Sequence, residues 1–164
     1  MKATSTMPNT RALLLAIAAT SAALVGFALY LQHAHYMDPC PLCIIQRYLF
    51  IGIGIFALAG GLMKNPLPGA LLALASAIGG LGVVARHLWV LAHPGLSCGI
   101  DPMQTSLNTL PTATLMPWLF AANGLCGDVG DPVLGLQVPT WAAIWFAILA
   151  AALTAVVLRA RRKA

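Results

Sequence analysis

Four long apolar runs dominate the sequence and restrict what it can fold into. They cover about residues 12–31, 42–63, 68–91 and 141–158. A helix needs about 20 predominantly apolar residues to cross the hydrocarbon core of a bilayer, and each run is about that long. The chain is 60% hydrophobic and 8% charged, whereas soluble domains carry about 25% charged residues. We therefore predict an all-α membrane protein, a four-transmembrane-helix bundle within the lipid bilayer.

The first run has a competing interpretation as a cleaved signal peptide, because small residues occupy positions 21–23. The apolar stretch nevertheless continues through Phe27 and Leu31, beyond the length of a usual signal-peptide core. We therefore expect a retained membrane helix that follows Arg11.

The connections between the runs differ greatly in length. Two of them, at about residues 32–41 and 93–138, lie on the same side of the predicted bundle. Within the longer one, residues 115–122 are apolar and aromatic but too few to span a bilayer, which predicts a short interfacial helix. Because the chain has no repeats or low-complexity linkers, we expect residues 1–164 to form a single integral membrane domain.

The charged residues are sorted between the two sides of the predicted bundle. One side carries seven of the nine basic residues, namely Lys2, Arg11, Lys64, Arg159, Arg161, Arg162 and Lys163. The other side carries all four acidic residues, namely Asp38, Asp101, Asp128 and Asp131, and all four cysteines. Basic residues favour the cytoplasmic side, so both termini are expected there and the cysteine loops outside. The net charge of +5 is divided among segment ends rather than gathered on one face, which argues against nucleic-acid binding.

A cysteine pair stands at the start of the second run. Pro41 suits the first turn of a helix, so Cys40 falls at the helix N-terminus and Cys43 one turn inside. Arg47 follows Cys43 by four residues, which places its guanidinium on the same helix face as that sulfur. The helix dipole and the cation both favour a thiolate, so the pattern predicts a reactive dithiol at the membrane surface.

A Cys-x-x-Cys pair has three other common uses. A c-type haem attachment requires a histidine directly after the second cysteine, where this chain has Ile44. A zinc site requires a second close pair or nearby histidines, and Cys98 and Cys126 are far apart in the sequence, so no metal is expected. A purely structural disulfide leaves Arg47 beside an apolar span without an explanation. Four outer-side cysteines instead fit an oxidising compartment such as the bacterial periplasm.

At this level of detail the chain resembles the DsbB family. The matching features are Pro39-Cys40-Pro41-Leu42-Cys43-Ile44 with Arg47, the loop cysteines Cys98 and Cys126, Arg86-His87, and Pro139-x-Trp141. They occur in the same order and cover essentially the full length. The resemblance implies a bacterial inner-membrane enzyme that reoxidises a periplasmic DsbA-like dithiol oxidase and passes the electrons to membrane quinone, ubiquinone or menaquinone. The alternative class is a non-catalytic four-helix membrane protein held by two outer-side disulfides.

The resemblance also implies roles for individual residues. Electrons would pass from the partner through Cys98 and Cys126 to Cys40 and Cys43. Cys43 would contact the quinone ring, Cys40 would resolve the intermediate, and Arg47 would hydrogen-bond a quinone oxygen. The loop supports this order on physical grounds, because the interfacial stretch that precedes Cys126 keeps it near the membrane and Cys40, whereas Cys98 lies between glycines and is accessible from solution.

Histidine and arginine residues at the outer surface have weaker assignments. The resemblance places Arg86 and His87 at the quinone pocket, although a snorkelling arginine and an interfacial histidine explain them as well. Haem ligation by His33, His35 and His87 is a further alternative, which the usual solvation of outer-loop histidines disfavours.

Overall fold

Four long helices form the body of the computed structural model, which describes residues 9–93, 102–127 and 130–162. They are α1 (Thr10–Ala34), α2 (Pro41–Leu62), α3 (Leu67–Ala92) and, after three short helices, α7 (Val138–Arg161). Each is long and apolar enough to cross a membrane, and the described residues contain no β-strand. The prediction of an all-α membrane protein with four long helices is confirmed.

The ends of the long helices follow from local sequence. The side chain of Asn9 accepts a hydrogen bond from the amide of Arg11 and caps α1. Proline occupies the first turn of α2, α3 and α7, where its missing N–H removes no helical hydrogen bond. The turn between α2 and α3 is tight, and the side chain of Asn65 accepts from the amide of Leu67.

The helices pack side by side in the order α1, α2, α3, α7. Both α2 and α3 contribute fully buried alanines to the core, namely Ala57, Ala70, Ala73 and Ala77. Near the turn between α2 and α3 the two backbones nearly touch, since a Cβ added to Gly69 would lie 2.5 Å from the Cα of Gly60. Helices α1 and α7 contact each other much less than α1 contacts α2 or α7 contacts α3, which leaves space between α1 and α7.

The segment between α3 and α7, called the outer segment after its predicted side, contains α4 (Pro102–Asn108), α5 (Pro111–Leu115) and α6 (Pro117–Phe120). The predicted interfacial stretch, residues 115–122, is therefore not one continuous helix. Pro117 explains the break, because it disfavours helical geometry at the residue before it. Leu115 and Trp118 are exposed, whereas Phe120 is buried and stacks on Tyr48 of α2 at a ring separation of 4.4 Å. One side of the segment thus packs on the bundle while apolar side chains project outward.

Some sequence predictions fall outside the described residues. These are the ones that concern Lys2, Cys98, Asp101, Asp128 and Lys163.

Candidate functional site

The first two cysteines lie together at the start of α2. Cys40 is the N-cap residue in an extended conformation, Pro41 begins the helix, and the backbone N–H of Cys43 donates to the Cys40 sulfur at 3.2 Å. The Sγ atoms of Cys40 and Cys43 are 2.8 Å apart. The pair is therefore placed to form a disulfide with little movement.

A third sulfur belongs to the same cluster. Cys126 is fully buried and is hydrogen-bonded to the side chain of Cys40. The pKa of Cys40 is raised well above its ordinary value, chiefly by this hydrogen bond, then by the one to Cys43, and then by burial. The structure therefore brings Cys40, Cys43 and Cys126 together, whereas Cys98 lies outside the described residues.

Backbone contacts hold Cys126 beside the helix. The carbonyl oxygen of Pro39 accepts hydrogen bonds from the amides of Asn123 at 3.1 Å and Gly124 at 3.0 Å. The two segments are so close that a Cβ at Gly124 would lie 2.2 Å from the carbonyl oxygen of Asp38. Only glycine fits this approach without a shift of backbone.

Amide side chains of α4 fix the preceding part of the loop. Asn108 accepts from the amide of Ala122 at 2.8 Å and donates to its carbonyl oxygen at 3.0 Å. Gln104 donates to the same oxygen at 3.0 Å. These contacts satisfy a fully buried backbone unit a short distance before Cys126.

His87 approaches the cysteines from α3. Its Nε2 lies 3.7 Å from Sγ of Cys40, and its Nδ1 lies 3.2 Å from Nε2 of Gln46. His87 and Gln46 are both buried. Gln46 was not among the predicted site residues, although an uncharged polar residue inside an apolar helix is a usable signal for a buried partner.

Arg47 is 6% exposed and reaches both α1 and the outer segment. Its Nη1 donates to Oε1 of Gln32 at 3.0 Å and to the carbonyl oxygen of Leu119. Gln32 in turn donates to the carbonyl oxygen of Trp118 at 3.3 Å. These bonds connect α6 to the bundle, and Gln32 is a second site residue that the sequence analysis missed.

A cavity of about 920 Å³ lies beside the cysteines. Its wall comes from α1, α2, α7 and the outer loops, and its polar part includes Cys40, Cys43, Gln46 and Arg47. Apolar side chains form much of the remainder, among them Leu24, Phe27, Leu31, Phe50 and Trp145. Cys43 and Arg47, which were predicted to share one helix face, therefore both line this cavity.

The other predicted site residues lie elsewhere. Within the described part of the chain, the cavity wall includes neither Arg86 nor His87. Arg86 is exposed, and its guanidinium lies 4.5 Å from the ring centre of Trp89. Direct roles of Arg86 and His87 in quinone binding stay predictions, and the ring of His87 lies beside Cys40.

The histidines that were considered as haem ligands are not gathered with His87. His33 lies in hydrogen-bonding distance of the carbonyl oxygen of Leu29 on its own helix, and His35 packs edge-on against Tyr30. Among the described residues, the cluster of side chains suited to a metal consists of Cys40, Cys43 and His87.

The fold and the site define a class, membrane proteins of four long helices with a cysteine cluster beside an apolar cavity. Comparison with known proteins narrows this class. The family model described as "Disulfide bond formation protein DsbB" matches residues 10–156. The chain belongs to the DsbB family of disulfide-forming oxidoreductases.

Several curated relatives are similar over most of their length. A disulfide bond formation protein B of Herminiimonas arsenicoxydans is 47% identical over 88% of this chain and 92% of the relative. One of Ralstonia nicotianae is 44% identical over 94% of this chain and 98% of the relative. One of Cupriavidus pinatubonensis is 48% identical over 86% and 88%, respectively.

Proposed function

We propose that this protein is an inner-membrane thiol:quinone oxidoreductase that reoxidises a periplasmic DsbA-like partner. Each cycle would convert the partner's two thiols into a disulfide and reduce one membrane quinone, ubiquinone or menaquinone, to quinol. Two electrons and two protons are thereby transferred. The observation that best supports this function is that Cys40 contacts Cys126 on one side and Cys43 on the other, while Cys43 lines an apolar cavity.

The cavity supports the assignment of quinone as the acceptor. A quinone has a flat apolar ring with two carbonyl oxygens, and sites for such ligands are mainly apolar with a few placed polar groups. Here the wall is largely aliphatic and aromatic, with Arg47 as the charged donor and the sulfur of Cys43 nearby. When bound, the quinone supplies an acceptor for two electrons.

The cysteine cluster supports a relay by thiol–disulfide exchange. A thiolate of the partner would attack the Cys98–Cys126 disulfide at Cys98, which forms a mixed disulfide and frees Cys126 as a thiolate. The partner's second thiolate would then attack the mixed disulfide, which frees Cys98 and leaves the partner with its own disulfide. Cys126 would next attack Cys40 of the Cys40–Cys43 disulfide, leaving Cys43 as a thiolate at the cavity. Cys98 would then attack Cys126, which restores the Cys98–Cys126 disulfide and leaves Cys40 and Cys43 as the reduced pair that the quinone reoxidises. Each step breaks one S–S bond and forms another, so electrons are conserved.

Arg47 and Cys40 have supporting roles in this proposal. The Arg47 guanidinium, held by Gln32 and Leu119, would stabilise negative charge at the cavity and donate to a quinone oxygen. The raised pKa of Cys40 favours its thiol form, so Cys43 would be the sulfur that carries the charge when the pair is reduced.

The orientation is part of the proposal. The charge distribution supports cytoplasmic termini and periplasmic cysteine loops. The arrangement of the described residues is compatible with this, because Cys40 and Cys126 lie at the same end of the bundle as α4, α5 and α6.

A quinone assay tests the proposal. The purified protein is reduced, freed of reductant and mixed with a soluble quinone in the absence of oxygen. We expect disulfides to form with one quinol per disulfide. Disulfides that form no faster with quinone than without it would contradict the proposal and favour a scaffold with structural disulfides.

The order in which the cysteines react is tested by trapping a mixed disulfide with the partner. A DsbA-like partner that keeps only its attacking cysteine is mixed with the Cys126→Ser variant, and the mixed disulfide is mapped by mass spectrometry without reduction. We expect a stable bond to Cys98. Capture mainly on Cys126 in the protein with all four cysteines would reverse the assigned order.

A further inference from the structure

The cluster around Cys40 contains more ligand atoms than disulfide exchange requires. The Sγ atoms of Cys40 and Cys43 and a ring nitrogen of His87 all lie within 4.8 Å of one another. Cys126 lies outside this group of three, but its side chain is hydrogen-bonded to Cys40, which makes its sulfur the adjacent candidate for a fourth donor. The sequence disfavoured zinc because it shows neither a second close cysteine pair nor nearby histidines, and the fold brings His87 beside Cys40 and Cys43.

We propose that the fully reduced protein binds one thiophilic divalent cation of the Zn²⁺ class through Cys40, Cys43, Cys126 and His87. Three cysteines and one histidine form a common ligand set of tetrahedral zinc sites. Each cysteine that binds would lose its proton to solvent, and no electron is transferred. This site goes beyond the proposed quinone reaction and does not depend on it.

The distances among Cys40, Cys43 and His87 fit a tetrahedral site after a small adjustment, and Cys126 must also move closer to Cys43 and His87 to complete it. With Zn–S bonds of about 2.3 Å and Zn–N bonds of about 2.0–2.1 Å, neighbouring sulfurs lie about 3.8 Å apart and a sulfur and a nitrogen about 3.5 Å apart. The separation of 3.7 Å between Cys40 and His87 is close to this value. The 2.8 Å between Cys40 and Cys43 must widen by about 1 Å, which side-chain rotation in the first helical turn can provide.

Gln46 is placed to orient the histidine for this role. Histidines that bind metals usually donate their other ring N–H to a neighbouring acceptor, which fixes the ring and the tautomer. The amide of Gln46 lies 3.2 Å from Nδ1 of His87, on the side of the ring away from Cys40. With its amide oxygen turned toward that nitrogen, Gln46 would accept the Nδ1–H, and Nε2 would bind the metal once the ring gives up its hydrogen bond to the backbone of Cys126.

The surroundings favour a cation bound by thiolates. Three thiolates and one divalent cation leave a net charge of −1, which the N-terminus of α2 and the guanidinium of Arg47 would partly offset. Cys40, Cys126 and His87 are buried, so competing water is largely excluded.

The site would exist only in one redox state. A sulfur in a disulfide is not a thiolate ligand, so oxidation of Cys40–Cys43 removes two of the four donors. Conversely, the cation would hold the cysteines as thiolates and prevent them from forming disulfides. Zinc would thus trap the reduced enzyme and inhibit its reoxidation.

Metal retention tests this without any measurement of activity. Protein reduced in the absence of oxygen is given a small excess of Zn²⁺, passed through a desalting column, and analysed for metal. We expect about one zinc per reduced protein and none in the oxidised protein. Co²⁺ in place of Zn²⁺ should give the absorption bands of a tetrahedral thiolate site.

Variants locate the ligands. His87→Gln and Cys126→Ser should each weaken retention strongly, whereas His93→Gln, which changes an exposed histidine at the end of α3, should not. Gln46→Leu should lower the affinity about 10- to 100-fold, and Gln46→Glu should raise it, because a carboxylate is the stronger acceptor for the histidine N–H. If Cys98→Ser still retains zinc, the loop cysteine that binds the metal is Cys126 and not Cys98.

Three results would overturn the proposal. They are no metal on the reduced protein, equal retention by His87→Gln, and loss with Cys98→Ser but not with Cys126→Ser. Helix content by circular dichroism identifies a variant that fails to fold. In that case the comparison of zinc affinity between Gln46→Leu and Gln46→Glu decides the test. Because the assay contains no quinone, its failure is distinct from failure of the quinone reaction.

Discussion

Gly124 offers a direct way to disturb the contact between Cys126 and Cys40. In Gly124→Ala the new Cβ would lie 2.2 Å from the carbonyl oxygen and 2.9 Å from the carbonyl carbon of Asp38. Ordinary contact begins near 3.4 Å, so the loop must withdraw by about 1.2 Å. The obstructing atoms belong to the backbone and cannot rotate away. The substitution therefore acts on the distance between two chain segments.

The structure gives the size of the effect. The hydrogen bonds from the amides of Asn123 and Gly124 to the carbonyl oxygen of Pro39, now 3.1 and 3.0 Å, would lengthen beyond bonding distance. Each such bond contributes about 0.5–1.5 kcal/mol, so together they contribute about 1–3 kcal/mol to docking of the loop. This corresponds to a change of about 5- to 150-fold in an equilibrium constant.

A disulfide equilibrium measures this docking. In a Cys43→Ser, Cys98→Ser background the remaining cysteines are Cys40 and Cys126. The protein is equilibrated in glutathione buffers, and the oxidised fraction is read by alkylation and mass spectrometry. Gly124→Ala should lower the equilibrium constant for the Cys40–Cys126 disulfide about 5- to 150-fold, because the two sulfurs are held together less often.

The matched control is Gly127→Ala in the same background. A Cβ at Gly127 would meet nothing within 4 Å, although the residue is adjacent to Cys126. We expect its equilibrium constant to stay within about twofold of the parent. If Gly124→Ala also stays within about twofold, the close approach to Asp38 does not position Cys126 and the reasoning is refuted. An equal fall in both variants would refute it too.

Three further predictions concern the proposed cycle. Arg47→Gln should lower kcat/KM for quinone about 10- to 150-fold through loss of a charged donor, while thiol exchange with the partner persists. Arg86 lies outside the cavity wall, so Arg86→Gln tests the remaining arginine. Unchanged quinone kinetics in Arg47→Gln would remove Arg47 from the site. In the reduced protein iodoacetamide at neutral pH should label Cys43 faster than Cys40, because Cys40 is buried and its raised pKa keeps it a thiol; faster labelling of Cys40 would contradict this. A reporter fused near Lys64 should read cytoplasmic and one in the outer loop external, and an external signal at Lys64 would exclude the proposed orientation.

The sequence was most informative where structure depends on neighbours along the chain. The four long helices follow from the length and hydropathy of the apolar runs. The start of α2 follows from Pro41, and the shared face of Cys43 and Arg47 follows from the helical repeat. Each of these inferences needs only a few consecutive residues and the known geometry of a helix.

The rest of the site depends on contacts between distant segments, which no local pattern records. The role of Gly124 becomes visible only when the loop lies against Asp38. The pairing of Gln46 with His87 requires the rotation of α2 relative to α3, and that of Gln32 with Arg47 requires the position of α1. A buried polar residue in an apolar helix indicates that a partner exists, but not which one.

The two sulfurs at the start of α2 have different surroundings, and this difference bears on the proposed direction of electron flow. Cys40 is 2% exposed and its thiol is engaged by Cys126 and Cys43, whereas Cys43 is partly exposed and shares a cavity wall with Arg47. A thiolate that arrives from the loop therefore meets Cys40 first, because Cys126 is already in contact with it. The sulfur it displaces is Cys43, the one beside a fixed positive charge, where a thiolate is most stable. Since a lower leaving-group pKa speeds thiol–disulfide exchange, the helix start favours attack at Cys40 over attack at Cys43.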